Sequence, residues 1–320
     1  MTEMILGKRE RLSWVPETSY GSGGNMATTG VVVGLNATFE PNMSQGWQET
    51  LTAGADNRSV QDHNAGPLSL QFTLNFTLSD WKWLRFMLDY TNSDQTTYFN
   101  HVLTQGNTVD SFILERAMRN DTADHVLTFT GCVVQEATLN FTKASGEGTE
   151  GMINVSLKCL AKTVSQGSSV TSLDAGNLTL APFQYRMAKV TLNSNEITEV
   201  NNGELTLSNG IEEVDSRYCN STLDRAIGEP IPKIFRVSGR YNINIADKTY
   251  FDLWNSAAAV SNCTLQFLRG TNDELNIAFS SFTVTGAVSS TALEGVDNAD
   301  VVFVSEGLGT TTVEDSATWG

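Results

Sequence analysis

The chain has 320 residues, with 20 Lys and Arg against 36 Asp and Glu and a formal net charge of −16. Charged residues make up 18% and hydrophobic ones 40%; charge is scarcer than the ~25% usual in globular chains, yet enough apolar residues remain to build cores and exclude wholesale disorder. No stretch is apolar and long enough to cross a bilayer as a helix. No apolar segment follows Lys8, Arg9 and Arg11 as an export signal requires, and so acidic a chain is unsuited to neutralising nucleic-acid phosphates.

In chain order, Tyr20 to Asn25 is a glycine-rich segment without the Gly-Lys-Ser/Thr that would make it a phosphate cradle. It reads as part of an N-terminal arm, Met1–Asn25. A strand is expected at 31–39, then a long polar loop at 42–66. Residues 68–78 alternate strictly: Leu68, Leu70, Phe72, Leu74, Phe76 and Leu78 share one face, and Ser, Gln, Thr and Asn share the other. That is a half-buried strand. Ser79-Asp80 then supplies a helix N-cap, with Trp81, Leu84 and Leu88 at helical spacing up to about Tyr90. Strands are expected at 111–117, 125–141, 151–162, 186–193, 204–208 and 237–245. A second helix opens at Ala246-Asp247, carries Tyr250, Phe251 and Trp254, and ends near Ala259. Strands at 263–268, 275–286 and 299–304 complete the pattern. Gly307–Gly320 reads as a C-terminal arm or frayed end.

The unit of strand, small residue, Asp and aromatic-rich helix occurs twice. One constant shift places Asp80 on Asp247, Trp83 on Tyr250, Leu84 on Phe251, Met87 on Trp254, Phe76 on Ile243 and Arg58 on Arg225. A slightly smaller shift places Phe129 on Phe279, Val134 on Val284 and Ala137 on Ala287, and a third places Phe112–Arg116 on Leu265–Arg269. We read an internal duplication joined near Gln166–Gly176, with domains at 26–165 and 177–306.

No catalytic constellation emerges. There is no G-x-S-x-G, the three histidines (His63, His101, His125) are far apart and read as loop or strand-edge residues, and no acidic group fits a calcium loop. Cys132, Cys159, Cys219 and Cys263 show no metal spacing and read as partly buried thiols. Ten N-x-[ST] sequons follow from an Asn/Ser/Thr-rich chain and carry no glycosylation reading. No enzyme, cofactor or metal is expected. From Thr271 onward there is no Lys or Arg.

The arm Tyr20–Asn25, the strand ending Ala37-Thr38-Phe39-Glu40-Pro41, the loop through Asp56-Asn57-Arg58 to Gly66-Pro67, the block at 68–88, Phe112–Arg116 and Leu127–Val134 together resemble the tail tube proteins of long-tailed bacteriophages and related viruses, in their duplicated form. The resemblance spans roughly residues 15–306. The second half departs from it, with Ser281-Phe282 in place of Gly131-Cys132 and Lys248 in place of Trp81.

The resemblance implies an all-β fold with minor α: two tandem tail-tube-like β-sandwich or barrel domains, each with one flanking helix. It implies a structural virion protein whose domains join edge to edge. Six domains per ring would need three chains, a homotrimer with pseudo-sixfold symmetry, stacked into a hollow tube for viral DNA. At four strands per domain, about 24 strands spaced about 4.8 Å apart give a perimeter of about 115 Å and a bore of about 37 Å. Further implied partners are the tape measure, tail terminator and distal tail proteins, with no membrane. The location is the virion tail, with assembly in the host cytoplasm. Candidate contacts within and between rings are Trp14, Tyr20, Trp47, Arg58, Arg225 and Trp319. Candidate acids facing the bore, where negative charge would repel phosphate, are Asp273, Glu274, Glu294, Asp297 and Asp300. The alternative is a two-domain β-sandwich adhesin or capsid-decoration protein.

Overall fold

Alternating stretches become antiparallel strands because period two puts every second side chain on one face, where it can be buried. The computed structural model describes residues 10–50, 62–95, 98–119, 124–143, 151–170, 181–217, 227–244, 249–290 and 298–315. The first half contains β1 (Glu10–Pro16), α1 (Met26–Thr29), β2 (Val31–Val32), β3 (Leu35–Thr50), β4 (Asp62–Thr77), a 3-10 turn (Lys82–Phe86), β5 (Asp89–Asp94), β6 (Phe99–Thr104), β7 (Phe112–Arg119), β8 (Asp124–Thr142), β9 (Asn154–Leu160) and β10 (Thr163–Gly167). The second contains β11 (Ala188–Leu192), β12 (Asn195–Ile197), β13 (Val200–Ser208), β14 (Arg236–Asn244), α2 (Thr249–Ser256), β15 (Ala259–Val260), β16 (Cys263–Leu268), β17 (Glu274–Phe279), β18 (Phe282–Ser290), β19 (Asn298–Ser305) and β20 (Thr311–Asp315). The molecule is all-β with minor α.

Two sheets result. The larger contains a continuous antiparallel run β3-β4-β9-β8-β13-β14-β19-β18, four strands from each half, which meet where β8 pairs with β13. The smaller runs β12-β11-β16-β17-β20-β6-β5. Strand β8 belongs to both parts of the larger sheet. Its first segment pairs with β7 and β10, and its second with β9 and β13. The changeover falls at Gly131, which has φ +63°. Only glycine adopts that conformation without strain, and a Cβ there would also meet Lys162 and the Tyr20 ring.

The registers recur between the halves. β8 skips a residue against β9 between Val134 and Glu136, and β18 skips one against β19 between Val284 and Gly286. The bulges thus set Val134 against Val284 and, across the ladder, Cys159 against Phe303. Following the pairs outward sets Leu74 against Tyr241 and Phe39 against Gly203. The match of Phe112–Arg116 with Leu265–Arg269 does not follow this register. Leu114 pairs with Phe129 and Cys263 with Phe279, so Leu114 corresponds to Cys263.

One buried cluster runs through both halves, from Leu12 to Val313. Trp81 of the first half packs on Phe183 and Phe267 of the second, at 4.6 and 5.6 Å between centroids, and Phe141 packs edge-on to Phe267 at 5.7 Å. Arg269 fastens the same junction: it stacks over Phe183 at 4.2 Å, pairs with Asp273 at 2.6 Å and donates to the Ser79 carbonyl at 3.0 Å.

Several expectations change. The helix expected after Asp80 is a 3-10 turn: Trp81, Trp83, Leu84, Phe86, Met87 and Leu88 are buried, so the buried positions fall at nearly every residue rather than along the single stripe of an amphipathic helix, with only Lys82 and Arg85 half-buried between them. The polar loop expected at 42–66 is largely the paired ends of β3 and β4, with Trp47 opposite Ala65 and Thr50 opposite Asp62. The C-terminal arm supplies β20, which lies between β17 and β6. His101, expected on a loop or strand edge, is fully buried in β6, with Nδ1 2.5 Å from Asn92 Oδ1 and Nε2 3.5 Å from Asp315. Cys132, Cys159 and Cys263 are buried free thiols, and burial pushes each thiol pKa up.

Candidate assembly surface

Alternation on the eight-strand run leaves one face in the core and the other in solvent. The solvent face carries Glu136, Thr138, Asn140 and Thr142 on β8, Glu204, Thr206 and Ser208 on β13, and Arg240 and Asn242 on β14, with Gln71, Thr73 and Asn75 on β4. Hydroxyls and amides join neighbouring strands: Thr138 and Thr206 lie 3.4 Å apart, and the Asn201 amide donates to Asn242 at 3.2 Å, Asn244 at 2.7 Å and Asn298 at 3.2 Å. Several charges on this face are paired, while Arg236 on β14 is exposed, and Val302 and Val304 of β19 add an apolar strip opposite Arg240 and Ser238. Lys158 pairs with Glu136, Arg240 reaches Glu204 at 3.5 Å, and Asn242 and Asn75 donate to Asp300 (2.8 Å) and Glu40 (3.0 Å). Such a surface is hydrated and nearly balanced in charge, not strongly anionic.

The run ends in two edges. Among the described residues, β3 pairs only with β4, and β15 covers only Thr283 and Phe282 of β18. Unpaired strand edges are templates for another chain. The inward-facing side chains of β3 beyond Phe39, Pro41 and Met43, are exposed, whereas Leu205 and Leu207 on β13 are buried at the β8 seam.

The candidate residues scatter relative to this surface. Trp14 is not an interface anchor: it is enclosed by Phe76, Phe86 and Phe112 at 6.0, 5.3 and 5.8 Å, because its segment is the interior strand β1. Tyr20 is half-buried, its ring 5.0 Å from the Lys162 ammonium, packed against the small cluster Val133, Leu160, Ile211 and Ile227. The Trp47 side chain, and Arg58, Arg225 and Trp319, lie outside the described residues, as do Glu294 and Asp297. Asp300 is exposed on the polar face. Asp273 and Glu274 are elsewhere, at the β16–β17 turn, where Asp273 holds Arg269 and Glu274 accepts from Gln266. Burial raises the Asp273 pKa against the opposing pull of Arg269.

Two features went unseen in the sequence: the exposed pair Pro41 and Met43, and the cross-strand ion pairs of the polar face. The second expected helix, by contrast, is present as α2. Helix α2 packs on β18 and inserts Tyr250 and Leu253 toward the core, leaving Phe251 and Trp254 in solvent with rings 5.3 Å apart. What the sequence did not show is the exposure of Phe251 and Trp254, which stand where Leu84 and Met87 are buried.

Among the described residues, no group of His, Cys, Asp and Glu could hold a metal. No curated protein matches the chain. A family profile described as phage tail tube protein matches residues 7–314, nearly the whole chain. The chain therefore belongs to the phage tail tube proteins, non-enzymatic structural components of the virion tail that assemble with themselves into a tube and work alongside other tail proteins.

Proposed function

We propose that three copies of this chain close into a ring of pseudo-sixfold symmetry, that rings stack, and that the polar face of the eight-strand run lines the passage for viral DNA. The observation that carries the reading is the strand order. Four strands of the first half are followed by four in the same order from the second, and among the described residues β3 on one side and β18 beyond its short pairing with β15 on the other have no further strand partner. A module that repeats by translation along a sheet has no natural stop; closing a circle removes both edges. Three chains of eight strands give the perimeter of about 115 Å and bore of about 37 Å worked out above, at about 4.8 Å per strand. We read the recurrent register as a tandem duplication of one module.

The same face suits passage without capture. DNA is held chiefly by cations that displace its counterions. Here Lys158 and Arg240 are engaged by carboxylates, and much of the remainder is Thr, Ser, Asn and Gln, with Arg236 and the exposed Val302 and Val304 of β19 beside them. The acids that matter in this proposal are Glu136, Glu204 and Asp300. Charge reversal of Asp300 or Glu204 to Lys is expected to slow genome ejection while leaving tubes intact; unchanged ejection in both would count against a lining role. The ring itself is tested by light scattering and negative-stain microscopy of the purified chain. Threefold rings or tubes are expected, and a compact monomer at high concentration that is also solitary in virions would end the proposal. Assembly in the host cytoplasm, and contact with the tape measure, terminator and distal tail proteins, belong to the same proposal.

A further inference from the structure

The join between halves is a worked example of how one module meets the next. At that join β8 lies antiparallel to β13, with Glu136 opposite Ser208, Ala137 opposite Leu207 and Leu139 opposite Leu205. The 3-10 segment of the first half lies over it. Met87 Sδ is 3.5 Å from the Asn209 amide, which also donates to the Val134 carbonyl at 3.0 Å. The recurrent register carries each partner to a free edge of the run. β18 stands for β8, so Gly286 stands for Glu136 and Ala287 for Ala137. β3 stands for β13, so Ser44, Met43 and Gln45 stand for Ser208, Leu207 and Asn209. The helical segments correspond too: the first starts at Lys82 and the second at Thr249, equally far beyond Thr77 and Asn244.

Burial shows which of these groups lack a cover. Leu84, Met87 and Leu207 are 0%, 2% and 2% exposed, whereas Phe251, Trp254 and Met43 are 53%, 41% and 42% exposed. The three uncovered apolar groups occupy positions equivalent to Leu84, Met87 and Leu207, and of these Met87 and Leu207 belong to the internal join, Met87 through Asn209 and Leu207 through its pairing with Ala137. Two of them are on one flank of the run and one is on the other, so no rearrangement within a chain brings them together.

Resting on the ring reading above, we propose that Phe251 and Trp254 of α2, together with β18, clasp β3 of a second copy of this chain. In that seam Gly286 of one copy lies opposite Ser44 of the other, and Ala287 opposite Met43. Trp254 reaches Gln45 as Met87 reaches Asn209, and lies over the adjoining Met43. The larger aromatic pair replaces Leu and Met where the seam is between chains. Large aromatics concentrate association energy at the centre of an interface, and a seam between chains must offset a loss of translational freedom that a seam within one chain does not incur.

The test is cysteine cross-linking of the full chain in a Cys219→Ser background. Opposed residues on antiparallel strands have Cα atoms about 4.5–5.5 Å apart, within the about 4.4–6.8 Å that a disulfide spans. Ser44→Cys with Gly286→Cys is therefore expected to convert assembled material into covalent closed trimers under mild oxidation. A Cβ at Gly286 meets only ordinary contacts with Val302. Glu40→Cys with Gly286→Cys is four residues out of register, about 13 Å away, and should not cross-link. Phe251→Ser with Trp254→Ser should leave the monomer's circular dichroism and melting unchanged, and raise the concentration needed for assembly at least tenfold. Tubes that form without the Ser44–Gly286 bond, or with equal bonding in the offset pair, would overturn the proposed seam while leaving the tube reading standing. So would serine variants that assemble like the parent. A parent chain that never leaves the monomeric state would overturn the ring and the seam together.

Discussion

Replacing Asp80 with Asn is expected to stabilise the unassembled chain at neutral pH. Asp80 sits at the junction of the two halves, just before the buried Trp81–Leu88 segment. Burial raises its carboxyl pKa from 3.8 to about 6; Lys82, through its charge and its backbone N–H donating to Oδ1 at 3.1 Å, and Arg269 pull it down, and Asp315 adds to the rise. The folded state therefore holds a proton that the unfolded state has already released between pH 3.8 and about 6. Stability from this group is fully present below pH 3.8 and declines as pH rises through about 6. About two pKa units at about 1.4 kcal/mol each set an upper limit of about 3 kcal/mol at pH 7.5. Asp80 is half-buried, and some water access reduces the expected gain to about 1–2 kcal/mol. Asn keeps the oxygen that accepts from Lys82 and is an equally good cap. Urea denaturation of parent and Asp80→Asn at pH 4, 6 and 7.5 should give curves that coincide at the lowest pH and separate at the highest. A variant less stable at pH 7.5, or an offset independent of pH, would refute the assignment of a buried ionised carboxyl.

Trp14→Ala should cost about 3–5 kcal/mol, since it empties a site ringed by three Phe side chains, and calorimetry of the monomer would show it as a fall in melting temperature. Gly203→Val should destabilise by about 1–3 kcal/mol, because a Cβ there overlaps the Phe141 ring; denaturant titration checks this, and a neutral result would show that the β8–β13 seam can give way. Glu213→Ala removes the acceptor of Ser69 Oγ (2.6 Å) and Gln71 Nε2 (2.9 Å) and the partner of Arg217, so a loss of about 1–3 kcal/mol and faster proteolysis between the halves are expected.

Sequence alone exposed the strands whose two faces differ. Leu68 to Leu78 alternate between core and solvent, and the expected strand is β4. The same alternation, compared between halves, gave correspondences such as Val134 with Val284 and Phe76 with Ile243 that agree with the bulges and registers. Strands without that contrast were invisible. β10 is exposed along its whole length and β5 is Asp-Tyr-Thr-Asn-Ser-Asp; pairing of backbone groups, not burial of side chains, holds them, and periodicity carries no trace of it. The end of β3, exposed over residues 41–44, reads as loop for the same reason. Polar neighbours such as Arg11 and Ser13 give the segment around Trp14 the look of an exposed arm, whereas Ser13 is itself buried within β1. The acids were the least legible. Their number is a property of composition, but whether Asp273 faces a passage or restrains Arg269 depends on a turn that only the three-dimensional arrangement defines.

Strand β20 bears on how the chain reaches this state. It pairs with β6 of the first half on one side and with β17 of the second on the other. Until it arrives, the β5–β6 hairpin has no neighbour on that flank, so the first half emerges from the ribosome unfinished. Pairings between such distant parts of a sequence form late and slowly. Nascent chains are thereby exposed to mispairing for longer, and the smaller sheet joins the two halves only once β20 has slotted between β17 and β6.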